Sequence, residues 1–267
     1  MVGRPGNLAP MTAVWLPFFA LAGLVFGSFI TVLVHRVPRG ESIVLPGSAC
    51  PQCGTPIAPR DNIPVVSYLA LRGRCRHCGA RISAQYPLTE ALTGALFVGA
   101  ALALPTIGQA VLVAPFLGIV LACALIDVRH RIIPNRIVYW SLALFGVAIA
   151  VFSLVGSGVS LLTGVLGLMA FGGGLLLVAI VAPHGMGMGD VKLAALIGLV
   201  LGSLGWRYVG VSVVVAVMAG GVGAIVTLLA GGSRKDAIPF GPYLAGGGIL
   251  SALFAPHIAA WYTGLLH

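Results

Sequence analysis

Eight long apolar runs, separated by short polar turns, limit this chain more than any other feature. They are Met11–Val34, Leu88–Leu104, Gln109–Ile126, Ile137–Val155, Leu161–Ala182, Val191–Leu204, Tyr208–Ala230 and Tyr243–Tyr262. A helix needs about 20 residues to cross the ~30 Å hydrocarbon core of a bilayer, and most of the runs have that length. Val191–Leu204 is the short one. Only 8% of the 267 residues are charged, against about 25% in a soluble domain, too few to cover a water-facing surface. The sequence therefore predicts an all-α, polytopic membrane helix bundle of about eight transmembrane helices.

The charges orient it. The net charge is +9, which in a soluble chain would raise nucleic acid as a partner. Here thirteen of the fifteen basic residues fall on one side once the N-terminus is placed outside. Arg36, Arg39, Arg60, Arg72, Arg74, Arg76, Arg81, Arg129, Arg131, Arg136, Lys192, Arg234 and Lys235 lie inside, and only Arg4 and Arg207 outside. Cytoplasmic loops of membrane proteins carry this excess, so the charge is a topology signal and implies no nucleic acid.

Three parts follow: residues 1–34 as a first transmembrane helix, 35–86 as a cytosolic domain, and 87–267 as a membrane domain. The first run is too long for the apolar core of a signal peptide, so it reads as an uncleaved helix, with Pro17 as a candidate kink. The cytosolic part holds Cys50-Pro51-Gln52-Cys53 and Cys75-Arg76-His77-Cys78, twenty-one residues apart. Two such C-x2-C knuckles supply four thiolates to a tetrahedral Zn²⁺; the competing reading is two disulfides. Thiols stay reduced in the cytosol, which favours zinc. With no ligand position left for water the metal would be structural, and a segment this small needs a staple. His77 reads as an exposed knuckle residue. The apolar residues of Ile63–Leu69 suggest a surface lying on the membrane or on the helix bundle. Asp61 reads as a turn cap or a substrate contact. Glu90 reads as a first-turn carboxylate suited to the helix dipole, or as a neighbour of the active site.

Acidic residues are scarce: Glu41, Asp61, Glu90, Asp127, Asp190 and Asp236. Asp127 and Asp190 both stand where an apolar run meets a polar loop. A carboxylate there costs free energy, about 2.5–3.5 kcal/mol at the bilayer centre, so it calls for a use. Asp190 follows alternating glycines in His184-Gly185-Met186-Gly187-Met188-Gly189-Asp190-Val191-Lys192, and their missing side chains allow another segment to approach. The third span runs inward and the sixth starts inside, so both aspartates lie at one depth. Two neighbouring carboxyls share a proton: the ionised one takes a proton from water, and the protonated one donates to a carbonyl oxygen. That is peptide hydrolysis without a covalent intermediate or a catalytic metal. The competing reading is a pair of helix-end charges matched to Arg129, Arg131 or Lys192. Cys123, inside the third span, reads as a packing residue.

Together these residues resemble the type IV prepilin peptidases, bacterial leader peptidases of the GxGD aspartic protease group. Gly187-Met188-Gly189-Asp190-Val191-Lys192 is similar to the family's G-x-G-D-x-K, and Asp127 with Pro134-Asn135 to its first aspartate motif. Gly27-Ser28-Phe29, His35-Arg36-Val37-Pro38, the four cysteines, Asp61-Asn62-Ile63-Pro64, Tyr86-Pro87-Leu88 with Glu90, and Pro239-Phe240-Gly241-Pro242-Tyr243 resemble its other motifs. Thr31 stands where the family usually carries asparagine. The resemblance implies Asp127 and Asp190 as the catalytic pair, with Gly187, Gly189 and Lys192 as active-site support. It implies a multi-pass protein of the bacterial inner membrane, with its active site facing the cytosol. The implied substrates are prepilins and pseudopilins, cut after a glycine that ends a short basic leader. Members with the cysteine domain often also methylate the new N-terminus with S-adenosylmethionine; the residues that hold this donor are not implied. Two alternatives remain. One is a GxGD protease for another membrane-anchored substrate. The other is a proton-coupled transporter using the same carboxylates, for which an inverted repeat is expected and none is visible.

Overall fold

The computed structural model describes residues 9–181, 186–230 and 239–264. Arg4, His184, Gly185, Arg234, Lys235 and Asp236, all used above, lie outside the described residues. Within them the ordered structure is helical, with two isolated bridges and no strand. The chain divides into two compact units, residues 1–102 and 103–267.

The first unit holds α1 (Ala9–Arg36), the short α2 (Val66–Ala70) and most of α3 (Gln85–Ala103). α1 runs through Pro17 without a break. Its Phe26 ring lies 5.5 Å from that of Phe97 on α3, and Ile30, Leu33, Leu96 and Ala100 are buried. Thr31 turns its hydroxyl back to the Ser28 carbonyl at 2.7 Å, satisfying it within its own helix. Between α1 and α3 the chain is irregular, and two knuckles are each closed by one bridge, Ala49 with Pro56 and Arg74 with Arg81.

The second unit holds α4 (Ile107–His130), α5 (Asn135–Leu154), α6 (Leu161–Val181), α7 (Met188–Leu204), α8 (Trp206–Leu229) and α9 (Gly241–Gly264). Thr106 caps α4, accepting from the Gln109 amide, and its hydroxyl donates to the Ser157 carbonyl, tying the α4 start to the α5–α6 turn. α7 is the hub: α4, α5, α6, α8 and α9 all pack on it. Nearly all of it from Val191 to Ser203 is buried. A helix apolar all round belongs inside other helices. α6 and α7 approach so closely that a methyl group at Gly198 would run into the Gly167 carbonyl.

Among the described residues seven helices are long and apolar enough to cross a membrane: α1, α3, α4, α5, α6, α8 and α9. α7, at 17 residues, is about 25 Å long and falls just short. The outer helices expose large apolar residues such as Leu144, Leu154, Leu162, Ile180 and Leu229. Lipid suits such a surface and water does not.

Candidate active site and metal centre

Three helix ends converge on Asp127. α4 closes four residues after it, where Arg131 turns left-handed (φ 53°, ψ 38°) and donates its N–H to the Asp127 carbonyl at 2.8 Å. This leaves the Asp127 side chain in the last turn, buried. α9 begins at Gly241, whose N–H donates to Asp127 Oδ2 at 3.1 Å. A Cβ at residue 241 would stand 2.5 Å from that oxygen, so only glycine brings the amide in. α7 supplies Asp190, its third residue, whose N–H closes the first turn on the Gly187 carbonyl at 3.1 Å. Asp190 is partly buried and lies within electrostatic reach of the Asp127 carboxylate.

The motif residues around Asp190 divide their work. A Cβ at Gly189 would lie 3.0 Å from Ile133 Cβ, and one at Gly187 would lie 3.3 Å from Asp190 Oδ2. Thus the room left by Gly189 is taken by the α4–α5 loop, and the room at Gly187 borders the carboxylate itself. Lys192 points to α5, donating to Asn135 Oδ1 at 2.9 Å and lying 5.1 Å from the centre of the Tyr139 ring. Two carboxyls set back from water, one of them held by a backbone amide, are the kind of groups that activate water and polarise a carbonyl.

In the first unit the sulfurs of Cys50, Cys53, Cys75 and Cys78 all lie within 4.8 Å of one another. Cys50 and Cys78 are 3.8 Å apart, and all five cysteines of the chain are free thiols. The separation is that of two ligands rather than a disulfide. A tetrahedral Zn²⁺ with Zn–S of about 2.3 Å sets its sulfurs about 3.8 Å apart. The knuckles repeat one hydrogen-bond pattern. The Cys50 amide donates to the Thr55 carbonyl and the Gly54 amide to the Cys50 carbonyl; the Cys75 and Gly79 amides do the same with Ala80 and Cys75. Gly54 and Gly79 sit at φ 69° and 71°, the left-handed position that lets each knuckle close. Hydrogen bonding with the Thr55 side chain and backbone holds the Cys53 thiol down at about 6. Cys78, despite the Ala80 amide, is pushed up to about 11 by loss of water and by its neighbouring sulfurs. Four crowded sulfurs do not all shed their protons unaided, and a cation among them is what such a donor set fits.

Comparison with known proteins places the chain in a family. Residues 114–228 match the model of the type IV leader peptidase family, and residues 21–104 that of the bacterial peptidase A24 N-terminal domain. A prepilin leader peptidase/N-methyltransferase of Burkholderia pseudomallei is 34% identical, the match covering 91% of this chain and 86% of that protein. The chain belongs to the type IV leader peptidase family. Proteins of the same name from Aeromonas hydrophila (36% identical, 93% of this chain and 94% of that one) and Bacillus subtilis (32%, 92% and 97%) are similar over nearly their whole length. No solved structure gives a significant match.

Within this leader peptidase chain some side chains have partners that their sequence context did not indicate. Asp61 neither caps its turn through its side chain nor stands free. It takes a two-pronged grip from Arg76, Nε to Oδ2 at 2.8 Å and Nη2 to Oδ1 at 2.6 Å, which holds its carboxyl below the usual carboxylate range. Glu90 is not in the first turn of α3; it is buried, and its Oε2 accepts the Val65 N–H at 2.7 Å. His77 is exposed, as its knuckle position predicts, and Cys123 is buried. The contact missing from the sequence reading is the Gly241 amide. Its only trace there was a motif, Pro239-Phe240-Gly241-Pro242-Tyr243, with no polar side chain pointing to a role.

Proposed function

We propose that the chain is a membrane aspartic endopeptidase that removes the leader of type IV prepilins and pseudopilins, with Asp127 and Asp190 as its catalytic pair. The observation that carries this reading is the meeting of the ends of α4, α7 and α9 at the two carboxyls. The names of the relatives over most of their length support the substrate class. The ionised carboxyl takes a proton from water as the oxygen attacks the scissile carbonyl, and the protonated one donates to the carbonyl oxygen. Collapse then passes a proton to the leaving amine. Gly241 anchors Asp127 through its amide, Gly187 keeps the face of Asp190 clear, Gly189 admits Ile133, and Lys192 ties α7 to α5. The two carboxyls and one water suffice for this chemistry without a catalytic metal.

The same relatives support a second step, N-methylation of the new N-terminal residue. S-adenosylmethionine would supply an electrophilic methyl group for the new N-terminal amine. Cys50, Cys53, Cys75 and Cys78 would hold a structural Zn²⁺ that fixes the two knuckles. The functional modules are then residues 1–34, 35–86 and 87–267: a first span, a zinc-binding cytosolic domain and a membrane peptidase. The positive-inside distribution supports a multi-pass protein of the bacterial inner membrane with its active site toward the cytosol.

The test is to incubate the purified enzyme with a prepilin and S-adenosylmethionine and weigh the products. Asp127→Asn and Asp190→Asn should each lower scission by about 10²–10⁴-fold while the protein stays membrane-inserted. Normal processing by either variant would remove that residue from the pair. Cleavage without a gain in mass corresponding to a methyl group would end the transferase part alone.

A further inference from the structure

α2 is built inside out for a helix that faces water. Ser67 is buried, its hydroxyl donating to the Arg60 carbonyl at 3.0 Å and accepting the Ile63 N–H at 2.9 Å. Val66 and Leu69, one turn apart and so on one face, are 57% and 68% exposed, and Ile63 just before them is 49% exposed. In water the packing of a short amphipathic helix runs the other way.

The anchoring of α2 gives its depth. Val65 donates its N–H to Glu90 Oε2 at 2.7 Å, and Glu90 is the sixth residue of α3, one of the helices able to cross a membrane. Six residues are about 9 Å of helix, so α2 begins level with the first two turns of a span. Val65 makes this bond at φ 62°, ψ −48°, in a γ-turn closed by the Val66 N–H on the Pro64 carbonyl at 2.6 Å. A β-branched residue avoids that conformation, so the anchoring is held against local strain.

The charges at both ends of α2 are of one sign. Arg60 and Arg72 are exposed, and neither is ion-paired among the described residues. Asp61, the carboxylate of this segment, is occupied by Arg76. We propose that α2 is an interfacial helix of the membrane. Ile63, Val66 and Leu69 enter the boundary between headgroups and acyl chains, and Arg60 and Arg72 engage anionic lipid headgroups. Apolar faces flanked by arginines bind membranes in this way. A protein partner would account for the apolar face but not for its depth beside α3 or for two exposed arginines outside any ion pair among the described residues. The proposal does not depend on the peptidase reading.

The test uses the full-length protein in lipid nanodiscs containing phosphatidylcholine and phosphatidylglycerol. A photoreactive phenylalanine analogue is placed at position 69, and at the exposed knuckle position 52 as a control. Irradiation followed by mass spectrometry should find lipid adducts at 69 and none at 52. An Arg60→Gln, Arg72→Gln double variant with unchanged zinc content should lose about fivefold or more of the phosphatidylglycerol adduct. Adducts at 69 only to protein, or to nothing, would overturn the proposal. Lipid adducts indifferent to the arginines would overturn their part in it.

Discussion

At the scale of single residues, a backbone amide makes a contact that leaves no mark in a side-chain pattern. The Gly241 N–H reaches Asp127 because nothing hangs from its Cα. Adding one methyl group pushes the carboxylate aside, and displacements near 1 Å in an active site cost about 10²-fold. Gly241→Ala should therefore cut prepilin scission by about that factor in single-turnover assays while the protein still inserts and purifies normally. Asp61 makes a prediction of another kind. Its folded pKa is depressed, first by the Arg76 hydrogen bond, so the pair contributes stability above the unfolded value of about 3.9 and loses it as pH falls through the lower folded value. Asp61→Asn should weaken amide exchange protection in the knuckle segment at neutral pH. The difference from wild type should shrink as acid protonates Asp61. Asp127 and Asp190 stood out because acids are scarce in this chain and an apolar setting tolerates few of them. The partners of Asp61 and Glu90 were not, because Arg76 and Val65 stand 15 and 25 positions away and no local pattern selects them.

At the scale of elements, helix and knuckle differ in how they close. The knuckles have a few bridging hydrogen bonds and a small core, so their closure rests on the four sulfurs and whatever cation they hold. Cys50→Ser should lower bound zinc measured on the purified protein and loosen residues 48–82 in hydrogen exchange; equal zinc in both proteins would reject this ligand set. α7 closes by packing instead. Its apolar run looked too short for a comfortable span, yet α7 is the helix on which the others of its unit pack. A helix surrounded by protein need not match the bilayer thickness, because its ends meet neighbouring helices rather than water. The short reach also leaves Asp190 in the first turn, where the α4 end can meet it.

At the scale of the whole molecule, the orientation is the open prediction. Reporter fusions after Arg131 should report the cytosolic side, and fusions after Ser157 the opposite side; the reverse assignment would place the carboxyls away from cytosolic substrates. Length and polarity of the apolar runs were enough to establish a polytopic helical protein, since a bilayer requires helices to satisfy their own backbone. Cysteine spacing was enough for the two knuckles and their four thiols, since a knuckle closes through bonds between near neighbours. The tertiary structure alone decided that α9 caps Asp127, that Gly189 makes room for Ile133, that Lys192 serves α5, and that Glu90 anchors Val65. Each of these joins segments far apart in the chain, and such pairings depend on how helix surfaces fit together, which hydrophobic periodicity does not encode.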